Sequence, residues 1–261
     1  MAPFSERLDA FHQTLREGVA FTAWSAIPAP RVAHSLAGAG FDAVTLDLQH
    51  GYHTEDTAFS GLDAALLGGA IPGLRIPVGR YDLASRALDA GAAFVIAPMV
   101  NSAAEAKLFA DAMKFPPIGE RSWSPLRAMD AYEGDKMRYL AEANLRTLSL
   151  AMIETPAAID AVDAILAEPG IDGVFVGPSD LSITLSGGAM VAPEDKGVDD
   201  AIDYILDRAL SAGKLPAIYA TTPARAASFR ARGFRFIAVS MDEQFVRAGA
   251  AKALAEAKGT A

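Results

Sequence analysis

Short apolar runs alternate with longer stretches of helical spacing along most of the chain. Eight of these runs lie between turn-forming residues and are typical of buried parallel strands. The predicted strands are Ala20–Trp24, Ala43–Asp47, Gly73–Ile76, Phe94–Ala97, Thr147–Glu154, Gly173–Val176, Leu215–Tyr219 and Phe236–Val239. An alternation of this kind predicts parallel strands joined by crossover helices.

The stretches between the strands carry apolar residues at helical spacing. The predicted helices include Asp82–Ala90, Ser102–Met113, Pro156–Leu166, Gly197–Ala212, Pro223–Arg232 and Asp242–Lys258. Eight βα units in 261 residues favour an α/β fold of the (β/α)8 TIM-barrel type, with residues 1–261 as a single domain. A doubly wound open sheet is the alternative, because periodicity alone does not establish that the sheet closes.

Two segments depart from the regular units. Phe115–Asn144 is too long for an ordinary connection and is rich in Pro and Arg, whereas Leu181–Gly197 contains a Gly-Gly pair that is typical of a flexible loop. We interpret both as segments that follow strands, which places them on the catalytic face of a barrel. Arg121 and Arg127 would then bind an acidic aldehyde, or they are solvated or structural residues.

Acidic residues outnumber basic ones, and the net charge is −9. A surface of this charge repels nucleic acid and anionic lipid, so we expect no nucleic-acid or membrane partner. No apolar run is long enough to span a membrane, and the N-terminal segment lacks the apolar region of a secretory signal. The absence of Cys excludes disulfides, thiol catalysis and thiolate metal sites. We therefore expect a cytoplasmic protein.

Two carboxylates follow neighbouring predicted strands. Glu154 closes the fifth strand, and Asp180 comes just after the sixth. Because one helix joins these parallel strands, their carboxyl ends should lie side by side on one rim. Two carboxylates in a small volume are costly to ionise without a cation, which predicts a site for a hard divalent metal such as Mg2+ or Mn2+. The alternative is that each acid caps a helix or pairs with an Arg.

A candidate base also follows a predicted strand. His50 comes after the second strand and suits general base catalysis near neutral pH. Asp47, three residues earlier, would orient its imidazole and raise its basicity. Asp89, at the end of a predicted helix, would join them or is a solvated helix end. The other histidines, which have no comparable position, are His12, His34 and His53.

Arg75 lies in an otherwise apolar run and therefore needs an anionic partner. That partner is a carboxylate of the protein, from Asp47 or Glu154, or a developing enolate oxygen of a substrate. The segment Gly177-Pro178-Ser179-Asp180 offers backbone N–H groups at the start of a helix, which suit a substrate carboxylate. None of the predicted strand ends carries a Lys, which argues against a Schiff-base aldolase, and no nucleotide-binding glycine motif is present.

In this order, these residues resemble the HpcH/HpaI family of class II pyruvate aldolases, the group that contains 4-hydroxy-2-oxoheptanedioate aldolase. The likeness extends from Phe21 to Val246 and lies in the segments GAGFDAVTLDLQH, LRIP, DAGAAFVIAPMVNSAAEA, FPPIGER, IET and GPSDLS. It implies a metal-dependent TIM barrel with Mg2+ or Mn2+ as cofactor, Co2+ being a further option. It also implies a homo-oligomer, a hexamer formed as a trimer of dimers that exchange the last helix.

The resemblance assigns roles to the candidate residues. By this likeness the metal ligands are Glu154 and Asp180, the catalytic residues are His50, Arg75, Asp47 and Asp89, and the substrate-binding residues are Arg75, Gly177, Pro178, Ser179 and Asp180. Asp89 would reach the site of a neighbouring subunit. Two departures from the family pattern bear on metal affinity and donor contacts: Leu48-Gln49 replaces the frequent Gly-Glu, and Met152 replaces a frequent Gln.

These features favour reversible aldol addition and cleavage of 2-oxo acids. The enolate donor would be pyruvate or hydroxypyruvate, and the acceptor would be an aldehyde. Two alternatives stay open. One is a related metal-dependent lyase or decarboxylase that acts on a CoA thioester or an oxaloacetate-like acid. The other is a non-catalytic barrel that binds 2-oxo acids without exchanging their protons.

Overall fold

Eight parallel strands close into a barrel in the computed structural model of the chain, which describes residues 3–260. The strands pair in sequence order, and the last strand pairs with the first. Their bounds are β1 Ala20–Ser25, β2 Ala43–Asp47, β3 Ile71–Arg75, β4 Phe94–Ala97, β5 Leu148–Ile153, β6 Gly173–Val176, β7 Leu215–Ala220 and β8 Phe236–Met241. The predicted TIM-barrel architecture is confirmed, and the open sheet is excluded because an open sheet has two unpaired edges.

Helices surround the barrel. Their bounds are α1 Phe4–Glu17, α2 Pro30–Gly38, α3 Glu55–Gly68, α4 Tyr81–Asp89, α5 Ala103–Met113, α6 Lys136–Arg146, α7 Pro156–Asp160, α8 Val162–Leu166, α9 Pro178–Leu185, α10 Lys196–Ser211, α11 Pro223–Arg232 and α12 Asp242–Lys258, and a 3-10 helix spans Ala128–Tyr132. The predicted helix over Pro156–Leu166 is interrupted at Ala161, which separates α7 from α8. Among residues 3–260, no helix combines the length and the apolar character needed to cross a bilayer.

The apolar core has two layers. One fills the space between the strands and the outer helices, and the other fills the barrel itself. Helix α1 closes the end of the barrel at which the strands begin, and its Phe11 ring lies 6.4 Å from Phe94 and 5.7 Å from Phe236. With that end plugged by aromatic side chains, the opposite end, where the strands finish, is the one open to ligands.

The segment Phe115–Asn144 lies at the plugged end of the barrel and not on the catalytic face. It follows α5 and leads into β5, so the prediction that it follows a strand is wrong. The N–H of Arg127 donates to the carbonyl of Asp89, which ends α4. Arg121 pairs with the Asp89 carboxylate at 2.7 Å, and Arg127 pairs with Asp63 at 2.7 Å. Within one chain, Arg121 and Arg127 are therefore structural cations.

The segment Leu181–Gly197 follows β6 on the open side, as predicted. The prediction that this segment is a flexible loop is wrong in part, because the segment begins inside α9, which continues to Leu185. Helix α10 begins at Lys196, so the connection between the two helices is confined to residues 186–195.

Candidate active site

A cavity of about 280 Å3 lies where the strands end. It brings together eight of the nine predicted site residues, namely Asp47, His50, Arg75, Glu154, Gly177, Pro178, Ser179 and Asp180. Two larger cavities, of about 330 and 400 Å3, lie between α9 and α10 and at the plugged end of the barrel. Neither contains a predicted site residue, so chemistry and not size identifies the candidate site.

Glu154 is the first residue after β5 and is only 2 % exposed. Its Oε2 accepts a hydrogen bond of 2.9 Å from the backbone N–H of Met99, in the loop after β4. Met99 has a φ of 55°, a left-handed conformation that is uncommon for a residue with a side chain. On the other side, a Cβ added to Gly177 would lie 2.4 Å from Glu154 Oε1. The carboxylate is therefore confined between two loops.

The Glu154 carboxyl binds its proton more strongly than an ordinary glutamate does. Burial raises the pKa of Glu154 to about 7, the nearby Asp180 carboxylate acts in the same direction, and the Met99 N–H and Arg75 oppose both. A buried acid with a raised pKa beside a second acid is suited to exchange its proton for a cation.

Asp180 lies in the first turn of α9 and supplies the second carboxylate. Among residues 3–260, no group of three or more His, Cys, Asp and Glu side chains is arranged to hold a metal. The protein's share of a coordination sphere here is therefore two carboxylates. This donor set fits a hard divalent cation, such as Mg2+ or Mn2+, that takes its remaining ligands from substrate and water.

Asp47 and Arg75 form a buried ion pair at the ends of β2 and β3. Arg75 Nε donates to Asp47 Oδ1 at 2.9 Å, and Nη2 donates to Oδ2 at 2.6 Å. Trp24 Nε1 donates to Asp47 Oδ2 at 3.1 Å, and its indole ring lies 4.9 Å from the guanidinium carbon. Burial raises the pKa of Asp47, but the hydrogen bonds and the charge of Arg75 outweigh it, so that the pKa lies below its ordinary value. Asp47 is thus the protein partner of Arg75.

His50 lies on the loop between β2 and α3 and exposes its side chain on the cavity wall. Asp47 contacts this loop through the backbone, since Oδ1 accepts the N–H groups of Gln49 at 3.0 Å and of His50 at 3.3 Å. A Cβ added to Gly51 would lie 2.3 Å from the Asp47 carbonyl oxygen, so the tight turn after His50 requires glycine. Asp47 therefore shapes the His50 loop and binds Arg75, and it does not hold the imidazole as expected.

A second polar network joins the His50 loop to α12. Asp242, which is 1 % exposed, accepts a hydrogen bond of 3.1 Å from Ser25 Oγ and bonds of 3.0 and 2.9 Å from the next two backbone N–H groups. Ser25 Oγ lies 3.2 Å from His53 Nε2. Because the Ser25 proton is directed to Asp242, we assign the donor proton of this contact to His53 Nε2. The network connects the loop of His50 to the helix turn that contains Glu243.

Helix α9 directs its N-terminus at the cavity. Gly177 is the N-cap, and Pro178, which has no N–H group, is the first helical residue. No side chain caps this helix start, so the N–H groups of Ser179 and Asp180 are left for an anionic ligand. Within the predicted segment Gly177-Pro178-Ser179-Asp180, the N–H groups of Ser179 and Asp180 are therefore the ones suited to bind a carboxylate.

Asp89 is the predicted site residue that does not line the cavity. It ends α4, close to the plugged end of the barrel, and its carboxylate pairs with Arg121. Burial raises the pKa of Asp89, and Arg121 opposes the rise. Any contribution of Asp89 to a His50 site would have to come from a second copy of the chain.

The cavity wall also contains residues that the sequence analysis did not identify. They are Trp24, Ala26, Tyr52, Phe175, Tyr219, Met241 and Glu243. Trp24 and Tyr219 close predicted strands, so their position at the ends of β1 and β7 is the sequence signal that marks them. Burial raises the pKa of Tyr219 to about 12, so its hydroxyl keeps its proton. The contact of the Met99 N–H with Glu154 could not be predicted, because a backbone group does not depend on the residue type.

Relatives of known activity resemble the chain over most of its length. The sequence profile described as HpcH/HpaI aldolase/citrate lyase matches residues 21–248. The chain is 38 % identical over 239 residues to a hydroxypyruvate/pyruvate aldolase of Rhizorhabdus wittichii, with 92 % of this chain and 94 % of that protein covered. It is 34 % identical over 222 residues to a 2-keto-3-deoxy-L-rhamnonate aldolase of Klebsiella pneumoniae subsp. pneumoniae, with 84 % and 81 % covered.

Solved structures share the architecture. An HpcH/HpaI aldolase/citrate lyase family protein from Burkholderia cenocepacia J2315 matches with a TM-score of 0.85 and 29 % identity, covering 95 % of this chain and 99 % of that one. The citrate lyase beta subunit of M. tuberculosis, complexed with oxaloacetate and magnesium, matches with a TM-score of 0.57 and 20 % identity, covering 88 % and 95 %. At that identity the second likeness concerns the fold alone.

Proposed function

The chain belongs to the HpcH/HpaI aldolase/citrate lyase family, and from this premise we propose that it is a class II aldolase, a carbon–carbon lyase acting on 2-oxo acids. The donor is pyruvate or hydroxypyruvate, and the acceptor is an aldehyde. The relatives that are hydroxypyruvate/pyruvate aldolases support this donor class.

The cofactor is a divalent cation held by Glu154 and Asp180. When bound, such a cation acts as a Lewis acid that polarises the 2-oxo group and acidifies the C3 protons next to it. Mg2+ or Mn2+ suits a site of two carboxylates, and Co2+ accepts the same ligands. The paired placement of two acids, one of them with a pKa of about 7, supports the presence of a cation.

The other residues bind the donor and move its proton. The N–H groups of Ser179 and Asp180 hold the donor carboxylate at the start of α9. His50 takes a proton from C3, and the electron pair of the broken C–H bond forms the enolate. Arg75 stabilises the enolate oxygen through its Nη1 group, since Nε and Nη2 are bonded to Asp47. The enolate then attacks the carbonyl carbon of the aldehyde, whose oxygen takes the electron pair of the C=O π bond and the proton held by His50. In cleavage His50 removes the proton of this C4 hydroxyl, and the steps run in reverse.

One observation carries the proposal. The ends of four strands, β2, β3, β5 and β6, place a histidine, an arginine and two carboxylates around one cavity. A base, an oxyanion partner and a cation site are the three parts that enolate formation requires. Of the alternatives, a barrel that only binds 2-oxo acids has no need of His50.

Proton exchange at the donor tests the proposal without an acceptor. Pyruvate is incubated with the protein and Mn2+ or Mg2+ in D2O, and loss of the methyl signal is followed by NMR. We expect exchange in the wild-type protein and none in His50→Ala or Glu154→Ala. The matched control is His34→Ala, because His34 lies on α2 outside the cavity. Exchange at the wild-type rate in both site variants would refute the mechanism.

The proposed assembly is a hexamer of three dimers that exchange α12. Of the 17 residues of this helix, Asp242 is the buried one, and Val246 and Leu254 are 58 % and 55 % exposed. An apolar pair so exposed on a terminal helix supports a partner subunit at this position. Sedimentation velocity measures the assembly, and Val246→Glu with Leu254→Glu is expected to dissociate it. A monomeric wild-type protein would refute the hexamer.

A further inference from the structure

The wall of the candidate active site contains more carboxylates than cations. Four carboxylates line it, from Asp47, Glu154, Asp180 and Glu243, and among residues 3–260 Arg75 is the one Lys or Arg that does so. Arg75 is already bonded to Asp47 by two hydrogen bonds. A divalent cation balances the two acids that hold it, and the donor adds a carboxylate of its own. The cavity wall therefore has no uncompensated Lys or Arg that could bind a second anion besides the donor carboxylate.

Glu243 is the carboxylate that none of the proposed steps uses. It lies in the first turn of α12, and 48 % of its side chain is exposed. Arg247, one turn further along, pairs with it at 2.6 Å but is 77 % exposed and does not line the cavity. Exposed pairs of this kind are weak, because water screens them and both side chains are mobile. Arg247 therefore compensates little of the negative charge that Glu243 places at the cavity.

The cavity wall also contains uncharged hydrogen-bonding groups. Tyr52 is 78 % exposed on the His50 loop, and Ser179 and Tyr219 contribute hydroxyls to the wall. The cations considered for an acidic aldehyde, Arg121 and Arg127, lie at the plugged end of the barrel and so do not line the cavity of their own chain. Hydroxyls and one carboxylate can hydrogen-bond the hydroxyl groups of an aldehyde, whereas a carboxylate on the aldehyde would be repelled.

Building on the proposed aldolase function, we propose that Glu243 determines acceptor specificity and that the enzyme selects uncharged hydroxylated aldehydes over aldehydes that carry a carboxylate. The effect is electrostatic. Like charges about 6–8 Å apart at a solvent-exposed site change a ratio of rates by about three- to tenfold.

Two small aldehydes isolate the charge. Glycolaldehyde and glyoxylate differ in one group, a hydroxymethyl in the first and a carboxylate in the second. With pyruvate as donor, kcat/KM is measured for each acceptor, and the ratio of the two values is compared between proteins. This comparison cancels the intrinsic reactivity of the aldehydes. Glu243→Gln keeps the size of the side chain, and we expect it to shift the ratio about three- to tenfold toward glyoxylate, with Glu243→Lys shifting it further.

A matched control lies on the same helix. Glu256 pairs with Lys252, four residues before it, but does not line the cavity, so Glu256→Gln removes a negative charge elsewhere on the helix. We expect the ratio of this variant to equal that of the wild type. Raising the ionic strength should move the wild-type ratio toward glyoxylate and leave Glu243→Gln almost unchanged. A steric role of Glu243 would not respond to salt.

Three results would overturn the specificity proposal. They are an unchanged ratio in Glu243→Gln, an equal shift in Glu256→Gln, and a wild-type ratio that salt does not alter. The aldolase function fails on a separate measurement, the absence of metal-dependent proton exchange into pyruvate in the wild-type protein. Exchange that persists without any effect of Glu243 on the ratio therefore rejects the specificity proposal alone.

Discussion

Replacing Asp47 with Asn would remove the counter-charge of Arg75 while keeping the size of the side chain. Only 9 % of the Arg75 side chain and 2 % of the Asp47 side chain are exposed. Removing one partner of a buried ion pair leaves the other charge uncompensated and costs about 3–5 kcal/mol of unfolding free energy. For a chain of this length, that loss lowers the melting temperature by roughly 10 °C.

The same substitution should stop proton exchange at the donor. In Asp47→Asn the new amide NH2 group would face the guanidinium, donor against donor, and Arg75 would turn towards Glu154, whose pKa its charge already lowers. A guanidinium on Glu154 competes with the cation for that carboxylate. We expect the rate of exchange to fall by roughly 100-fold, together with the affinity for Mn2+.

Calorimetric unfolding and NMR exchange are measured on the variant and on two controls. Asp82→Asn removes the acid of an exposed pair in which Arg80 makes two hydrogen bonds of 2.9 Å, and we expect a loss of less than about 1 kcal/mol. The double variant Asp47→Asn/Arg75→Met contains neither charge, so it should regain most of the stability and none of the exchange. The reasoning is refuted if Asp47→Asn melts within about 2 °C of the wild type, or if the double variant is no more stable than Asp47→Asn.

Three further predictions concern other parts of the site. Gly177→Ala places a Cβ 2.4 Å from Glu154 Oε1, so we expect a folded protein whose affinity for Mn2+, measured by titration calorimetry, falls about tenfold or more. Asp242→Asn replaces an acceptor of Ser25 Oγ and of backbone N–H groups by a donor, which should cost about 1–3 kcal/mol in thermal unfolding and lower kcat more than it changes KM for pyruvate. Because the pKa of Glu154 is raised from 4.5 to about 7, the folded chain binds more protons than the unfolded chain between these values. In chelator-treated protein, the contribution of Glu154 to the free energy of unfolding should therefore fall as the pH rises from about 5 to 7. Glu154→Gln should lack this pH dependence.

Each of these predictions has a contradicting result. Unchanged Mn2+ affinity in Gly177→Ala would show that the position of Glu154 does not control the cation. Wild-type stability in Asp242→Asn would show that the network with Ser25 does not anchor α12. Equal pH slopes in the wild type and in Glu154→Gln would assign the slope to other acids.

The strands were predictable because each apolar run is buried on both faces. The predicted and observed bounds coincide for Ala43–Asp47, Phe94–Ala97 and Gly173–Val176. The third strand begins earlier than predicted, at Ile71, because Pro72 is accommodated within it. Proline usually argues against an inner strand, so a strand that contains Pro72 is not expected from the sequence pattern.

The contacts between site residues were less predictable than their location. Position after a strand predicts the rim of the barrel on which a side chain lies, and this placed Glu154 and Asp180 correctly on the cavity wall. It does not predict which neighbour a side chain contacts. Asp47 and Arg75 are paired in the register between β2 and β3, and this register brings Arg75, not the His50 ring, to Asp47. The Phe115–Asn144 segment was misplaced although the helix before it, Ser102–Met113, was predicted, because a segment between a helix and the next strand lies at the end where the strands begin.

The two parts of the cavity wall differ in what restrains them. Glu154 and Arg75 lie at strand ends, where hydrogen bonds of the closed barrel limit any displacement. Tyr52 and Glu243 lie on a loop and on the first turn of an outer helix. Substitutions at Tyr52 and Glu243 thus alter the environment of the aldehyde and leave the strand ends in place. Such a scaffold can diversify its products during evolution while conserving one bond-forming step, and mutant libraries for new carbon–carbon bond syntheses are best confined to these outer positions.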